Sequence, residues 1–394
     1  MSSKGDAPLR ICMAAPHLAP YTKTNGIAWY NRWLAEGLAK RGHSVTILDV
    51  SLLRRPPATE PWDETVVMAP GKSRVPRSLR STIFVRNYLA SNRRFDIFET
   101  SNWPGLAALR PRDMAVTFVR LITPSGRATV RHPQNFICNA LEAISVHRAD
   151  ATIASTSYIQ SSLSALYRVD LREAYRVPFG IPDVSTVKGA YRVGPVSFLS
   201  IGRAEMRKGS DVLLRALVRA FESSDDFVVT LAGAHGGFSE TSPEMRSAWS
   251  LLTTKFSDRM TIIEDLSEER KLELLASADY LLMTSRTESF GLPVIEAMRA
   301  GTAVISSTGG GLREVAGASS GNVLYANPED ATQLVEAILN AVRRGRRDAS
   351  ERGRLARSTY VQQFHEDVFL DRTIEAYRDG LLRKMHRTAR SRPF

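Results

Sequence analysis

The chain has 394 residues, 43% hydrophobic and 24% charged, with a formal net charge of +12 and two cysteines. That length exceeds what one core serves, so two domains are expected, and the composition excludes disordered and collagen-like classes. No apolar run reaches the roughly 18 residues of a spanning helix, the N-terminus lacks a signal-peptide core, and Cys12 and Cys138 lack metal-ligand spacing, which together predict a cytoplasmic protein.

The first predicted strand is "LRICMAA" (residues 9–15), an apolar run suited to a buried parallel strand. A polar loop follows, then "IAWYNRWLAEGLAKRG", with Ile27, Tyr30, Leu34 and Leu38 at helical spacing and Gly42 as a stop, then the strand "SVTILDV". The same grammar restarts near residue 195: strand "VSFLSIG", loop "RAEMRK", helix "GSDVLLRALVRAFES", strand "FVVTLAG". Further strands are read in "MTIIED", "YLLMTS", "AVISS" and "NVLYA", with helices over residues 267–278 and 293–300. "NPEDATQLVEAILNAVRR" predicts a helix with Asn327 as N-cap, Pro328 at the first position and acids in the first turn. "EDVFLDRTIEAYRDGLLRKM" predicts a last amphipathic helix, followed by a frayed basic tail, "HRTARSRPF". Strands alternating with helices imply parallel sheets covered on both faces, and two such series imply two doubly wound α/β domains joined near residues 182–194. Ligands of such sheets bind at the carboxyl ends of the strands, which places a site in a cleft between the two domains.

The charge is unevenly divided. Residues 1–190 carry 25 Lys+Arg against 14 Asp+Glu, whereas residues 191–394 carry 28 against 27. From Lys72 to Arg94 there are seven basic residues and no acidic one. "RVPRSLRSTIFVRNYLASNRRF" (residues 74–95) sets Leu79, Ile83, Val85, Tyr88 and Leu89 among these arginines, a pattern that fits either a basic amphipathic helix on an anionic membrane or a solvated basic surface.

Neither leading loop is a common nucleotide motif. "TNGIA" is not G-x-G-x-x-G and "GRAEMRKGS" is not a P-loop, which argues against a nicotinamide enzyme and a P-loop ATPase. Arg203 and Lys208 do lie between a strand and a helix start, with Gly202 and Gly209 permitting close backbone approach. That combination suits a diphosphate, or is a solvated basic loop. In "TESFGLPVIEAMRAG", Glu288 precedes a helix opened by Pro293, so the N–H groups of residues 289–292 are candidates for binding hydroxyl or phosphate oxygens. Glu288 is placed to receive sugar hydroxyls. Glu296 either accepts the two ribose hydroxyls of a nucleotide or compensates the helix dipole.

Taken together, "NGIAWYNRWLAEGLAKRGHSVTIL", "GRAEMRKGSDVLLRA" and "SRTESFGLPVIEAMRAGTAVISSTGGGLREV" resemble glycosyltransferase family 4, of GT-B fold, over nearly the whole chain. The resemblance implies two Rossmann-like domains: an acceptor-binding one at 1–188, a donor-binding one at 189–365, and a helix over 366–394 that crosses back to the first. It implies a retaining hexosyltransferase that takes sugar from a UDP- or GDP-linked donor, with no metal or other cofactor. Its acceptor would be a saccharide or lipid-linked, in polysaccharide or glycolipid synthesis. Carried onto this sequence, Arg203 and Lys208 would neutralise the leaving diphosphate and Glu288 would be the catalytic carboxylate. Phe290, Gly291 and Leu292 would offer backbone to the donor sugar, Glu296 would hold the ribose, and Asn25 and Gly26 would form the loop that closes on the phosphates. "VTFVRLITPSG" departs from the family: Ile122 stands where a histidine approaches the donor sugar, which leaves His17 as a candidate substitute. Trp103, in "ETSNWPG", is a candidate acceptor-side stacking surface or a packed core residue. The base would lie near Asp265 and Leu266. A nucleotide-sugar epimerase, a catalytically weak nucleotide-sugar-binding partner and a nucleic-acid-binding protein are the rival readings. The last lacks a binding module, so no nucleic-acid partner is expected, whereas peripheral contact with the inner membrane face is.

Overall fold

The computed structural model describes residues 7–19, 26–51, 60–68, 75–111, 114–122, 133–184, 194–233 and 242–390. The chain divides into two compact units, residues 1–181 with 366–394, and residues 182–365. The first unit runs β1 (Arg10–Ala15), α1 (Gly26–Lys40), β2 (Ser44–Asp49), β3 (Glu64–Val67), α2 (Arg77–Ser91), β4 (Ile97–Ser101), β5 (Val116–Leu121), α3 (Pro133–Arg148), β6 (Ala151–Ala154), α4 (Ser157–Tyr167) and β7 (Tyr175–Arg176). Its sheet has the order β3-β2-β1-β4-β5-β6-β7, all parallel. Both faces of β1, β4 and β5 are covered, and Arg10 is the only exposed position among the three, although β4 and β5 bury polar side chains, Glu99 and Arg120 among them.

The second unit begins with β8 (Val196–Ile201), a single 3-10 turn (Met206–Lys208) and α5 (Ser210–Ser223). It continues through β9 (Phe227–Ala232), α6 (Pro243–Lys255), β10 (Met260–Ile263), α7 (Glu268–Ser277), β11 (Tyr280–Met283), α8 (Leu292–Ala300), β12 (Ala303–Ser307), α9 (Leu312–Val315), β13 (Val323–Tyr325) and α10 (Ala331–Thr359). Its sheet order is β10-β9-β8-β11-β12-β13, again all parallel. In α5 the buried positions Val212, Leu213, Ala216, Leu217, Ala220 and Phe221 recur at helical spacing and cover the sheet beside Phe198 and Phe227.

α11 (Glu366–Arg390) belongs to the first unit. Its Tyr377 hydroxyl donates to Glu99 of β4, which also accepts from Tyr30 at 2.9 Å and from Arg120 of β5 at 2.8 and 3.2 Å. Arg120 and Glu99 are almost fully enclosed, with side chains 1% and 2% exposed. Burial alone would push the Arg120 guanidinium toward losing its proton; Glu99 and the two tyrosines outweigh it and hold the charge. The ion pair is thus covered by the helix that arrives last in the chain.

Two expected boundaries are corrected. The helix of the "NPEDATQ" stretch starts at Ala331, and its N-cap is Asp330, whose carboxylate accepts from Thr332 at 2.8 Å and Gln333 at 3.3 Å. Asn327 instead accepts from Glu329 N–H at 3.0 Å, and Gln333 reaches back to Ala326 and Asn327 at 3.1 and 3.2 Å, so these residues form a turn ahead of the helix. The basic tail is not frayed at His386: α11 continues to Arg390, after Lys384 anchors it by donating to the Met114 carbonyl at 2.7 Å.

Candidate functional site

In each sheet the strand order reverses at one place, between β8 and β11 in the second unit and between β1 and β4 in the first. Loops leaving adjacent strands there diverge, which opens a crevice at the carboxyl ends. Of the residues singled out in the sequence, Lys208 and Glu288 follow the two strands at the reversal in the second unit, and His17 and Trp103 follow those in the first.

In the second unit the turn after β8 carries Lys208 and the loop after β11 carries Glu288, and their ammonium and carboxylate are in direct contact. Glu288 also accepts from the Ser285 hydroxyl at 3.3 Å, and Arg207 Nη1 stands 3.6 Å away. Glu288 is mostly enclosed, its side chain 13% exposed, while Lys208 is 25% exposed. Arg203 does not join them: its side chain is 71% exposed and pairs with Glu205 at 2.8 Å. Arg207, which the sequence reading passed over, is the nearer second cation; it lies in the same basic loop, but spacing alone does not say which arginine turns inward.

The backbone around Glu288 is fixed by glycines. Gly311 N–H donates to the Glu288 carbonyl at 2.7 Å, beside a bridge between Glu288 and Gly310. A Cβ on Gly309 would come within 2.4 Å of the Ser285 and Arg286 carbonyl oxygens. The "STGGG" stretch therefore seats the loop that carries Glu288. Gly291 has φ +97° and caps α8, and a Cβ there would strike Leu312. Leu292 opens α8, while the Phe290 ring is buried and meets Phe364 edge-on with centroids 6.1 Å apart, leaving only its backbone for a ligand. Gly202 has φ +142°, a conformation suited to glycine, and open space where a Cβ would be.

Glu296 lies within α8, is 6% exposed, and pairs with Lys271 of α7 at 2.8 Å. Lys271 also pairs with Glu268 at 2.8 Å; burial would lower its pKa, but the two carboxylates raise it. Glu296 is thus joined to a neighbouring helix by a cation that periodicity could not reveal, a tie beyond simple compensation of its own helix dipole. Asp265 and Leu266 lie just past the carboxyl end of β10.

In the first unit His17 follows β1 and Trp103 follows β4, and their rings stack with centroids 5.3 Å apart and planes 16° from parallel. Burial, then the nearby Arg77, lowers the His17 pKa, so the ring is held neutral more readily than a free histidine. Ile122 does not face outward: its side chain is buried and its N–H donates to Asn102 at 2.9 Å. Gly26 is the exposed first residue of α1, and Asn25 lies outside the described residues.

Most of the apolar face of the basic stripe is spent within the unit, with Ile83 left exposed. Val85 and Leu89 of α2 enter the core, with Phe84 and Tyr88 packed against it, leaving Arg86 and Arg93 exposed. No described helix is long and apolar enough to cross a membrane. Among the described residues no group of three or more His, Cys, Asp or Glu gathers as metal ligands would.

Comparison with known proteins covers both units. A family profile described as "Glycosyltransferase Family 4" matches residues 24–183, and one described as "Glycosyl transferases group 1" matches residues 187–356. The chain is 24% identical over 404 residues to a glycogen synthase of Mycobacterium tuberculosis, covering 94% of each. It is 30% identical over 202 residues to a D-inositol 3-phosphate glycosyltransferase of Xylanimonas cellulosilytica, covering 47% of this chain and 46% of that one. The solved structure of Anabaena HepE in complex with UDP superposes with a TM-score of 0.71 at 15% identity, over 94% of this chain and all of that one.

Proposed function

The chain belongs to glycosyltransferase family 4 and has the GT-B fold of two Rossmann-like units, and from that premise we propose that it is a retaining enzyme using a UDP- or GDP-linked sugar. The observation that carries this is the contact of Lys208 with Glu288 at the strand-order reversal of the second unit. A lysine ammonium has three N–H donors, so Lys208 can keep Glu288 and still bind a phosphate oxygen. As the glycosidic bond breaks, negative charge grows on the diphosphate, and a fixed cation there favours the transition state over the ground state. Glu288 accepts from the sugar hydroxyls, the amides of Phe290 and Gly291 orient the same sugar, and Gly202 leaves room for the phosphates. Glu296 takes the ribose hydroxyls while it stays paired with Lys271. The base lies by Asp265 and Leu266.

The partners of Glu288 are cations and a serine rather than a second carboxylate, which supports departure and attack on one face of the sugar through an ion-pair-like state instead of a two-carboxylate displacement. Lys208, Arg207 and Arg203 supply the positive charge, so activity is expected without a metal; Arg203 leaves Glu205 to reach the diphosphate. The first unit binds the acceptor, a saccharide or a lipid-linked sugar, with Trp103 and His17 as its aromatic platform and Gly26 at the start of α1. With Val85 and Leu89 of α2 spent on the core, contact with an anionic membrane is mainly electrostatic, through Arg86 and Arg93.

A thermal-shift comparison of UDP, GDP and ADP tests the donor site. A nucleotide at 100 times its dissociation constant adds roughly 2.7 kcal/mol, and one of the three is expected to raise the melting temperature. No shift with any of them would remove the donor reading.

A further inference from the structure

Lys208 and Glu288 lie on separate loops, 80 residues apart, and something must set their spacing. The three carbonyls of the 3-10 turn are all tied to the segment that leads to Glu288. Met206 O accepts from Arg286 Nη1 at 2.5 Å, Arg207 O from Arg286 N–H at 2.9 Å, and Lys208 O from the Thr284 hydroxyl at 2.8 Å. In return Arg207 Nη1 donates to Thr287 O at 3.3 Å. Gly209 closes the joint, since a Cβ there would lie 2.1 Å from Thr284 O.

The Arg286 side chain extends this joint to two helices. Nη1 and Nη2 grip Asp211 in the first turn of α5 at 2.6 and 2.9 Å, and Nε and Nη2 grip Glu329, just before α10, at 2.5 Å each. With Met206 O these contacts take all five N–H donors of the guanidinium, so Arg286 has none left for a substrate. Burial would raise the Asp211 pKa, but Arg286 holds it below the usual carboxylate range. An arginine two residues before a sugar-binding carboxylate invites a phosphate-binding role, yet its whole fork is spent on protein.

We infer that Arg286 is a positioning residue of the donor site, acting through Lys208: its fork locks the turn that carries the diphosphate-binding cation to the loop that carries Glu288. The inference rests on the donor reading above. Losing the fork removes one of the two donors to Met206 O, leaving only Gly209 N–H at 3.0 Å, and leaves the Asp211 carboxylate, largely enclosed, without its main partner. The turn then shifts and the Lys208 ammonium is no longer held where the diphosphate arrives. A lysine at 286 keeps the charge but not the bidentate geometry.

The test is a double-mutant cycle on nucleotide affinity, measured by titration calorimetry on folded protein. The probe is whichever of UDP, GDP and ADP most stabilises the wild type. Arg286→Ala and Lys208→Ala are each expected to weaken binding about tenfold, and the double variant no more than about threefold beyond the weaker single, because both act through one contact. Arg286→Lys should fall between wild type and Arg286→Ala, and it carries the cycle if the alanine variant does not fold. Losses that multiply would mean that Arg286 binds the nucleotide itself. A lowered melting temperature with wild-type affinity would mean that it only holds the fold. Either result overturns the inference while leaving the donor reading standing. If the wild type binds none of the three nucleotides, the donor reading falls and takes this inference with it.

Discussion

At Gly209 and Gly202 the same substitution has opposite consequences. An alanine methyl at Gly209 would press on Thr284 O, in a backbone of φ +68°. Overpacking and the left-handed conformation together should cost roughly 2–5 kcal/mol, read as a lower denaturant midpoint. Gly202→Ala meets no atom, so only its φ of +142° is penalised, and the methyl instead enters the space proposed to hold the phosphates. That variant should remain folded and bind nucleotide less well; unchanged affinity would place the phosphates elsewhere. Single residues were read unevenly from sequence. Glu288 and Lys208 stood out by type and neighbourhood, and they meet. Arg203 and Arg207 look alike in "GRAEMRK", and only the closing of the turn decides that Arg207 lies nearer Glu288.

Elements were legible where one period ruled a whole segment. The strands "VSFLSI" and "FVVTLA" and the helix of α5 follow directly from apolar runs and helical spacing. The start of α10 was not legible, because Asn327 and Asp330 are both good caps and the choice falls to Gln333, which reaches back to the turn. For α2 the helix was legible but not the destination of its apolar face: a membrane and the unit's own core demand the same pattern, and Val85 and Leu89 go to the core. What remains outside is mainly charge, beside the single exposed Ile83, so binding to vesicles should require anionic lipid and fade with salt over the physiological range. Arg86→Glu with Arg93→Glu should abolish co-sedimentation with anionic vesicles. Equal binding to neutral vesicles, or none to anionic ones, would end the membrane proposal.

Over the whole molecule, alternation of strands and helices announced two parallel sheets, but not the contacts that span the sequence. Glu99 and Tyr377 are 278 residues apart, and nothing local marks them as partners. The physical reason is that a buried ion pair is recognised by its enclosure, which sequence does not show. Tyr377→Phe keeps the ring and removes one donor to a charged, enclosed carboxylate, a loss of about 1.5–3 kcal/mol. Because each unit has its own core, hydrogen exchange should quicken in residues 7–181 and 366–390 and not in β8 to β13. Uniform quickening would mean that the units do not unfold separately.

The central claim is that Glu288 serves the transferring sugar rather than the nucleotide. Assaying Glu288→Gln with the preferred nucleotide sugar, alongside the affinity for the matching nucleoside diphosphate, tests it most directly. Transfer should fall by about 10²–10³ while nucleotide affinity stays within about threefold of the wild type. Transfer at the wild-type rate, or a loss of nucleotide affinity that accounts for the whole defect, would contradict it.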